Sequence, residues 1–146
     1  MVSEEFRVVP IGVVEGVDEA KGLSRVRILP EFCDGLFRLD EFSHVIVFYW
    51  FHLRDDAKER RVLRVVPRRH GAKSEVGVFA SRSPSRPNPV GFCVVELVGV
   101  EGCVLVVRGL DAFVGSPVID VKPYLPRGDF VSNVRAPLWV DHGPST

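Results

Sequence analysis

The stretch CVVELVGVEGCVLVVRGL, from Cys93 to Leu110, contains two apolar, β-branched runs on either side of Glu101 and Gly102. Runs of this composition favour strands, and a glycine between them supplies the positive φ that a tight turn requires. The stretch therefore predicts a β-hairpin that turns at Glu101-Gly102.

Short strand-forming runs occupy most of the remaining chain. Leu23 to Leu29 alternates charged and apolar residues, as in a half-buried strand. His44 to Phe51 is continuously β-branched and aromatic, as in a central strand buried on both faces. Val8 to Val14 is interrupted by Pro10, which favours an edge strand or a bulge. Further predicted strands are VLRVV (62–66), EVGVFA (75–80), VGFCVVELVGV (90–100) and SPVIDVKPY (116–124).

Helix is predicted in one place only, between Pro30 and Phe42, where apolar residues recur at a spacing of three to four. Many short strands with little helix predict an all-β, mainly antiparallel protein: a small closed or nearly closed β-barrel with at most one or two short helices. The length of 146 residues fits one domain (1–146), with a core at about 8–126 and a C-terminal extension at 127–146.

Several features predict a soluble, cytoplasmic protein without a metal. No apolar run approaches the ~20 residues of a membrane span, and MVSEEFRVV lacks the regions of a signal peptide. Cys33, Cys93 and Cys103 are odd in number and far apart, which favours reduced thiols over a disulfide framework or a zinc site. The four histidines have no acid or cysteine at ligand spacing.

The net charge of zero conceals a segregation of charge. Between Arg54 and Asn88 there are ten Lys or Arg and four Asp or Glu, a balance of +6 that leaves −6 for the remainder. A basic sector favours binding to a polyanion, because cations that neutralise phosphates release condensed counterions. The alternative is a solvated loop. The sequence contains no GxGxxG after a strand, no P-loop and no GxSxG, so no Rossmann, P-loop or serine-hydrolase site is predicted.

Three prolines stiffen the loop sequence GVFASRSPSRPNPVG (77–91). Each proline fixes φ near −65° and biases the residue before it toward extended conformations, so the loop is preorganised. Arg82 and Arg86 offer planar donors for a carboxylate, a phosphate or a base edge, and Asn88 offers both an acceptor and donors. The alternative is a rigid barrel corner whose arginines pair with Asp111 or Asp120.

This loop and RGLDAFVGSPVIDVKPYLP (108–126), together with IGVVEG near the start and FSHVIVFYWFH in the middle, closely resemble the signature of the TsaA-like, or TrmO, family of methyltransferases. The resemblance runs from about Ile11 to Pro126. It implies a homodimeric antiparallel barrel that binds S-adenosyl-L-methionine without a Rossmann sheet. It also implies that the substrate is tRNA, methylated on N6 of threonylcarbamoyl-modified adenosine at position 37.

The resemblance further implies a cofactor pocket, formed at the end of the central strand, on the loop, just after it, and in the second motif. Its residues are His52, Leu53, Arg82, Phe92, Leu110, Asp111, Ala112 and Phe113. The sequence departs from the family in one respect. Many relatives carry a Pro-Arg-Gln loop between the first and second strands that contributes to this pocket, whereas only EGVDEAKG separates Val14 from Leu23.

Methyl transfer from a sulfonium requires the donor and acceptor to be aligned at about 3–3.5 Å and shielded from water. We expect Asn88 or Asp111 to accept hydrogen bonds from the adenine amine, and Tyr124 to stack on a base. The predicted substrate-binding cations are Arg86, Lys122, Arg68 and Arg69. Two alternatives remain open: a non-catalytic barrel that binds RNA, and an enzyme that uses another nucleotide-like ligand.

Overall fold

The computed structural model describes residues 4–68 and 71–142. Within them, eight strands are formed: β1 (Gly12–Asp18), β2 (Leu23–Ile28), β3 (His44–Trp50), β4 (Arg64–Val65), β5 (Val76–Gly77), β6 (Val90–Glu101), β7 (Val104–Arg108) and β8 (Pro117–Pro123). Six of the described strands close into a barrel in the order β1-β2-β7-β6-β3-β8, and β4 and β5 form a separate two-stranded sheet. The predicted all-β barrel is confirmed.

The hairpin that the sequence predicts is the β6–β7 pair. These strands are antiparallel, with Glu101 opposite Val104, so the turn consists of Gly102 and Cys103. The barrel sheet closes because its first strand in this order, β1, pairs with its last strand, β8, as well as with β2. Closure gives every barrel strand two neighbours, which satisfies its backbone donors and acceptors without an exposed edge.

Strands of the barrel alternate between an inward and an outward face. In β3, Val45, Val47 and Tyr49 are buried, whereas the residues between them are half-buried. The same alternation in β1 and β2 buries Val14, Val26 and Ile28, among other residues. Each fully buried aliphatic side chain contributes roughly 1.5–3 kcal/mol relative to exposure, so this inner layer is the main source of stability.

Two strand predictions need correction. The run from Val8 to Val14 is not one strand, because β1 begins only at Gly12, beyond Pro10, and its bulge lies between Val14 and Gly16. It is also not an edge strand, since it has partners on both sides. Similarly, β3 is not buried on both faces, because a barrel wall has one inner and one outer face.

Helices in the described residues are short. The α-helices are α1 (Ala57–Arg60) and α2 (Pro126–Asp129), and 3-10 helices occupy Pro30–Leu36, Leu39–Glu41, His52–Arg54, Val78–Ala80 and Leu138–His142. The segment predicted as a helix between Pro30 and Phe42 is therefore a pair of 3-10 helices. They are interrupted at Arg38, whose φ of 69° lies in the left-handed region and ends the helical run.

The expectation of reduced cysteines is wrong for two of the three. Cys33 and Cys103 form a disulfide, and Cys93 is not disulfide-bonded. Sequence separation concealed this pair, because the two cysteines are 70 residues apart. The fold brings them together: Ile28, at the end of β2, donates a backbone hydrogen bond to the carbonyl of Cys103, and Cys33 follows in the next helical segment.

The chain forms two compact units. The first, within Met1–Trp50 and Phe92–Tyr124, carries the barrel strands, with β6 entering it at Phe92; the second falls within Phe51–Gly91 and Leu125–Thr146. That residues 1–146 form a single domain stays a prediction. Among the described residues, no helix is long and apolar enough to cross a membrane, and no group of three or more metal-ligating side chains occurs.

Candidate functional site

The proline-rich loop of the second unit is held by hydrogen bonds within itself. Ser81 Oγ donates to the carbonyl of Val78 at 3.1 Å and accepts from the amide of Ser83 at 3.3 Å. The amide of Ser85 in turn donates to Ser83 Oγ at 3.2 Å. Arg86 closes the loop, since its Nη1 donates to the carbonyls of Ser81 and Ser83, both at 3.1 Å. The loop therefore has one defined conformation, as its prolines predict.

Helix α1 supports this loop from the same unit. Glu59 accepts a short hydrogen bond from the hydroxyl of buried Ser85. Arg60 donates from Nε to the carbonyl of Pro87 at 2.8 Å and from Nη2 to Oδ1 of Asn88 at 3.3 Å. One guanidinium thus fixes both the backbone and the side chain at the end of the loop.

Sequence reasoning missed Glu59 and Arg60 because it assigned no helix to this segment. A signal was present: Asp56 is followed three residues later by Glu59, the spacing of a capping box. In the structure, Asp56 caps α1 by accepting from the amide of Glu59 at 2.8 Å. A single capped turn is enough to place two consecutive side chains against the loop.

The remaining predicted site residues of the second unit lie on separate segments. His52 and Leu53 begin the 3-10 helix His52–Arg54, where Leu53 is 67% exposed. Arg82 is exposed on the loop and Arg68 is exposed after β4. Arg69 lies outside the described residues.

In the first unit, the predicted cofactor segment Leu110–Phe113 connects β7 to β8. It lies between Gly109 and Gly115, whose φ values of 93° and 91° are ones that side-chain-bearing residues rarely adopt. The hydroxyl of Tyr49, a buried residue of β3, donates to the carbonyl of Asp111 at 2.5 Å. The segment is therefore anchored to the barrel wall while Phe113 stays exposed.

Two further predicted residues lie on barrel strands, and a third lies next to one. Phe92 of β6 stacks on Phe48 of β3, with ring centroids 6.2 Å apart. Lys122 of β8 forms an ion pair with Asp120 at 3.2 Å. Tyr124 directly follows β8, and its amide donates to the carbonyl of His44.

These contacts bear on two sequence-based interpretations. Asp120 pairs with Lys122, and Nη1 of Arg86 donates to carbonyls of its own loop, so these contacts of Arg86 are not the pairing with Asp111 or Asp120 that the barrel-corner alternative requires. The β1–β2 connection is also as short as the sequence indicates: Asp18 faces Leu23, which leaves only residues 19–22 for the turn.

A model of the family described as the tRNA-methyltransferase O N-terminal domain matches residues 12–130. The chain belongs to this family. The match includes the whole barrel, the proline-rich loop and the Leu110–Phe113 segment.

Several relatives are similar over most of the chain. A protein of Methanothermobacter thermautotrophicus, named as a probable S-adenosyl-L-methionine-binding protein, is 47% identical over 135 residues, which cover 85% of this chain and 93% of the relative. The human tRNA (adenine(37)-N6)-methyltransferase is 39% identical over 114 residues, or 78% of this chain and 25% of the human protein.

The crystal structure of TrmO from Pseudomonas aeruginosa superposes with a TM-score of 0.74 at 28% identity, and covers 99% of this chain. The present chain spans only 61–65% of the length of the solved TrmO chains.

Proposed function

We propose that this protein is an S-adenosyl-L-methionine-dependent methyltransferase that modifies N6 of the adenine at tRNA position 37. Membership of the TrmO family supports this, as do the names of the archaeal and human relatives. The observation that carries the proposal is the proline-rich loop, which its own serines, Arg86 and α1 hold rigid while Arg82 and Asn88 remain exposed. A rigid loop that presents polar groups to solvent is typical of a ligand site.

The residues of the predicted pocket fit this cofactor chemically. Leu53 and Phe113 are large apolar side chains, 67% and 72% exposed, and such surfaces can contact an adenine ring and a thioether chain. Exposed Arg82 supplies a planar cation that matches a carboxylate. When bound, the cofactor supplies an electrophilic methyl group on a sulfonium.

The protein's own residues orient the acceptor and exclude water. The amine of adenine is a weak nucleophile because its lone pair is delocalised into the ring. Asn88, held by Arg60, or Asp111, whose backbone is held by Tyr49, would accept hydrogen bonds from that amine and leave the lone pair better placed for attack. Each candidate acceptor is attached to a segment whose backbone is held by hydrogen bonds, as positioning requires.

The substrate is expected to carry a threonylcarbamoyl group at this adenine. The carboxylate of this group requires a cation. The candidates are Lys122, Arg68 and the guanidinium nitrogens of Arg86 other than Nη1. Tyr124 is half-buried beside β8, and its ring is the proposed stacking surface for a base. Location in the cytoplasm and assembly as a homodimer belong to the same proposal. The location now rests on the tRNA substrate, because the disulfide removes the argument from reduced thiols.

A second function is favoured by one observation, the four-residue β1–β2 turn, which leaves no room for the Pro-Arg-Gln loop of relatives. Without that loop the barrel could bind RNA and lack the cofactor.

Isothermal titration of the full chain with S-adenosyl-L-methionine decides between the two. We expect binding by the wild type, and a large loss of affinity in Arg82→Ala with an unchanged thermal melt. Arg127→Ala, a change of an exposed arginine outside the loop, serves as the matched control. Absence of binding by the wild type would overturn the proposal, whereas binding would justify methylation assays on tRNA with and without the threonylcarbamoyl group.

A further inference from the structure

The basic sector separates into two groups of cations once its contacts are known. Arg54 pairs with Glu59 at 3.6 Å, and Arg60 pairs with Asp55 at 3.4 Å while it supports the loop. The third acid, Asp56, caps α1. Three of the four acids in this sector are therefore engaged with α1 or its arginines.

A second group of cations has no such engagement. Within the described residues, these side chains are exposed and form no hydrogen bond or ion pair: Lys58, Arg61, Arg64, Arg68 and Lys73. Glu75 is the one remaining acid of the sector. Five cations against one acid leave a strong local excess of positive charge, concentrated on a stretch of sixteen residues.

Secondary structure keeps these five cations on one small substructure. Lys58 lies in α1, and Arg61, three positions later, is its C-cap residue. This spacing places the two side chains on the same side of the helical turn. Three residues after Arg61 the chain enters β4, which pairs with β5 through Arg64 opposite Gly77. Arg68 and Lys73 lie on the connection between these two strands.

An aromatic side chain belongs to the same substructure. Phe79 lies two residues beyond Gly77, in the 3-10 helix Val78–Ala80, and is 80% exposed. The amide of Val78 donates to the carbonyl of Leu63 at 2.9 Å, which ties this helix to the segment that precedes β4. Burial of a phenylalanine would ordinarily be favoured by roughly 1.5–3 kcal/mol, so an exposed ring beside cations is a feature that stability does not explain.

We propose that this hairpin surface, formed by Lys58, Arg61, Arg64, Arg68, Lys73 and Phe79, binds a single-stranded segment of RNA. The cations contact successive phosphates and the ring of Phe79 stacks on an unpaired base. The inference rests on the proposed function, which makes an anticodon loop the substrate, and it gives this chain an RNA contact separate from the predicted cofactor residues.

The combination of groups selects this partner over other polyanions. Basic side chains alone attract any polyanion, including duplex RNA and heparin, through counterion release. An exposed aromatic ring adds affinity only for a partner with unstacked bases, since duplex bases are already stacked. The hairpin surface therefore fits the loop of a hairpin RNA better than its stem.

Fluorescence anisotropy of the full chain, without cofactor, tests the inference with two labelled RNAs: an anticodon stem-loop and a duplex with the same stem. We expect Lys58→Gln/Arg61→Gln/Arg64→Gln to lower the slope of log affinity against log salt by about two, since each phosphate contact on a single strand contributes about 0.7. The matched control is Lys21→Gln/Arg127→Gln/Arg135→Gln, which removes the same charge at other exposed positions and should leave that slope unchanged.

Phe79→Ala should weaken binding to the stem-loop about fivefold or more, with little effect on the duplex, whereas Phe79→Tyr should retain wild-type affinity. An equal loss of slope in both triple variants would overturn the inference, as would equal effects of Phe79→Ala on the two RNAs.

Titration of the same variants with S-adenosyl-L-methionine separates the two proposals. Loss of RNA affinity with no cofactor binding by the wild type would refute only the methyltransferase, and cofactor binding with an unchanged salt slope would refute only the hairpin surface.

Discussion

Asn88 is a proposed acceptor for the adenine amine, and its substitution tests the proposed chemistry directly. Its Oδ1 accepts from Arg60 at 3.3 Å, and an amide oxygen has a second lone pair for another donor. We predict that Asn88→Ala lowers kcat on tRNA by about tenfold to a hundredfold, which corresponds to roughly 1.4–2.7 kcal/mol of transition-state stabilisation. The affinity for S-adenosyl-L-methionine should stay the same, and single-turnover methylation with saturating cofactor measures the effect.

Asp111→Asn is the companion change, because it retains an acceptor and removes the charge. If Asn88→Ala and Asp111→Ala both turn over tRNA at the wild-type rate, neither side chain orients the amine.

Tyr49 is a positioning residue for the predicted cofactor segment. Its hydroxyl is buried in the barrel and donates to the carbonyl of Asp111. A hydrogen bond of this kind contributes about 0.5–1.5 kcal/mol, so we predict that Tyr49→Phe weakens cofactor binding by about two- to tenfold and leaves the fold intact. Calorimetry measures the affinity. Tyr124→Phe removes the other tyrosine hydroxyl of the chain and should change nothing, since its predicted role requires only the ring.

At the scale of elements, α1 is one helical turn whose importance comes from what it touches. Arg60 reaches two acceptors on the loop through different nitrogens, which a lysine ammonium cannot reproduce with the same geometry. We predict that Arg60→Lys lowers kcat by about tenfold without a comparable fall in thermal stability. Arg135→Lys, the same change at an exposed arginine outside the proposed sites, is the matched control. If both variants behave alike in steady-state kinetics, α1 does not position the loop.

Strand positions followed from the sequence wherever apolar periodicity was unbroken. The runs that became β2, β3, β6, β7 and β8 were located to within a few residues, and so was the hairpin turn. Errors occurred where a backbone constraint overrode composition: Pro10 delayed the start of β1, and the left-handed backbone at Arg38 divided the helix predicted from Pro30 to Phe42. Secondary-structure propensity predicts neither of these effects, because both depend on the backbone conformation that the tertiary fold imposes at these positions.

The candidate site was predictable in part for the same reason. Proline spacing predicted a stiff loop, and the family motifs supplied a hypothesis for which of its side chains face a ligand, which stays a prediction. Contacts between sequence-distant segments were not predictable. Ser85 and Glu59, or Tyr49 and Asp111, have no spacing rule that relates them, because tertiary packing alone brings each pair together. Arg86 illustrates the limit: its residue type indicated a ligand contact, whereas the structure shows that Nη1 first closes its own loop.

At the scale of the whole molecule, the disulfide is the constraint with the longest reach. It connects the helical segment after β2 to the β6–β7 turn and closes a loop of 70 residues in sequence. Cross-links of this span stabilise a fold by about 2–4 kcal/mol in the chain-entropy account, mainly because they restrict the unfolded chain. Reduction should therefore lower the melting temperature by about 5–15 °C for a protein of this size.

Thermal melts with and without reductant measure this difference, and cysteine alkylation under native, non-reducing conditions should modify only Cys93. Cys33→Ala/Cys103→Ala should melt at the temperature of the reduced wild type and become insensitive to reductant, whereas Cys93→Ala should retain the full response. If reductant does not change the melting temperature of the wild type, the cross-link is absent in solution. The barrel is also closed by pairing between β1 and β8, so the reduced protein should still fold and bind its ligands. Stability measured with reductant then reports the contribution of the cross-link, and ligand binding under the same conditions reports the function of the site.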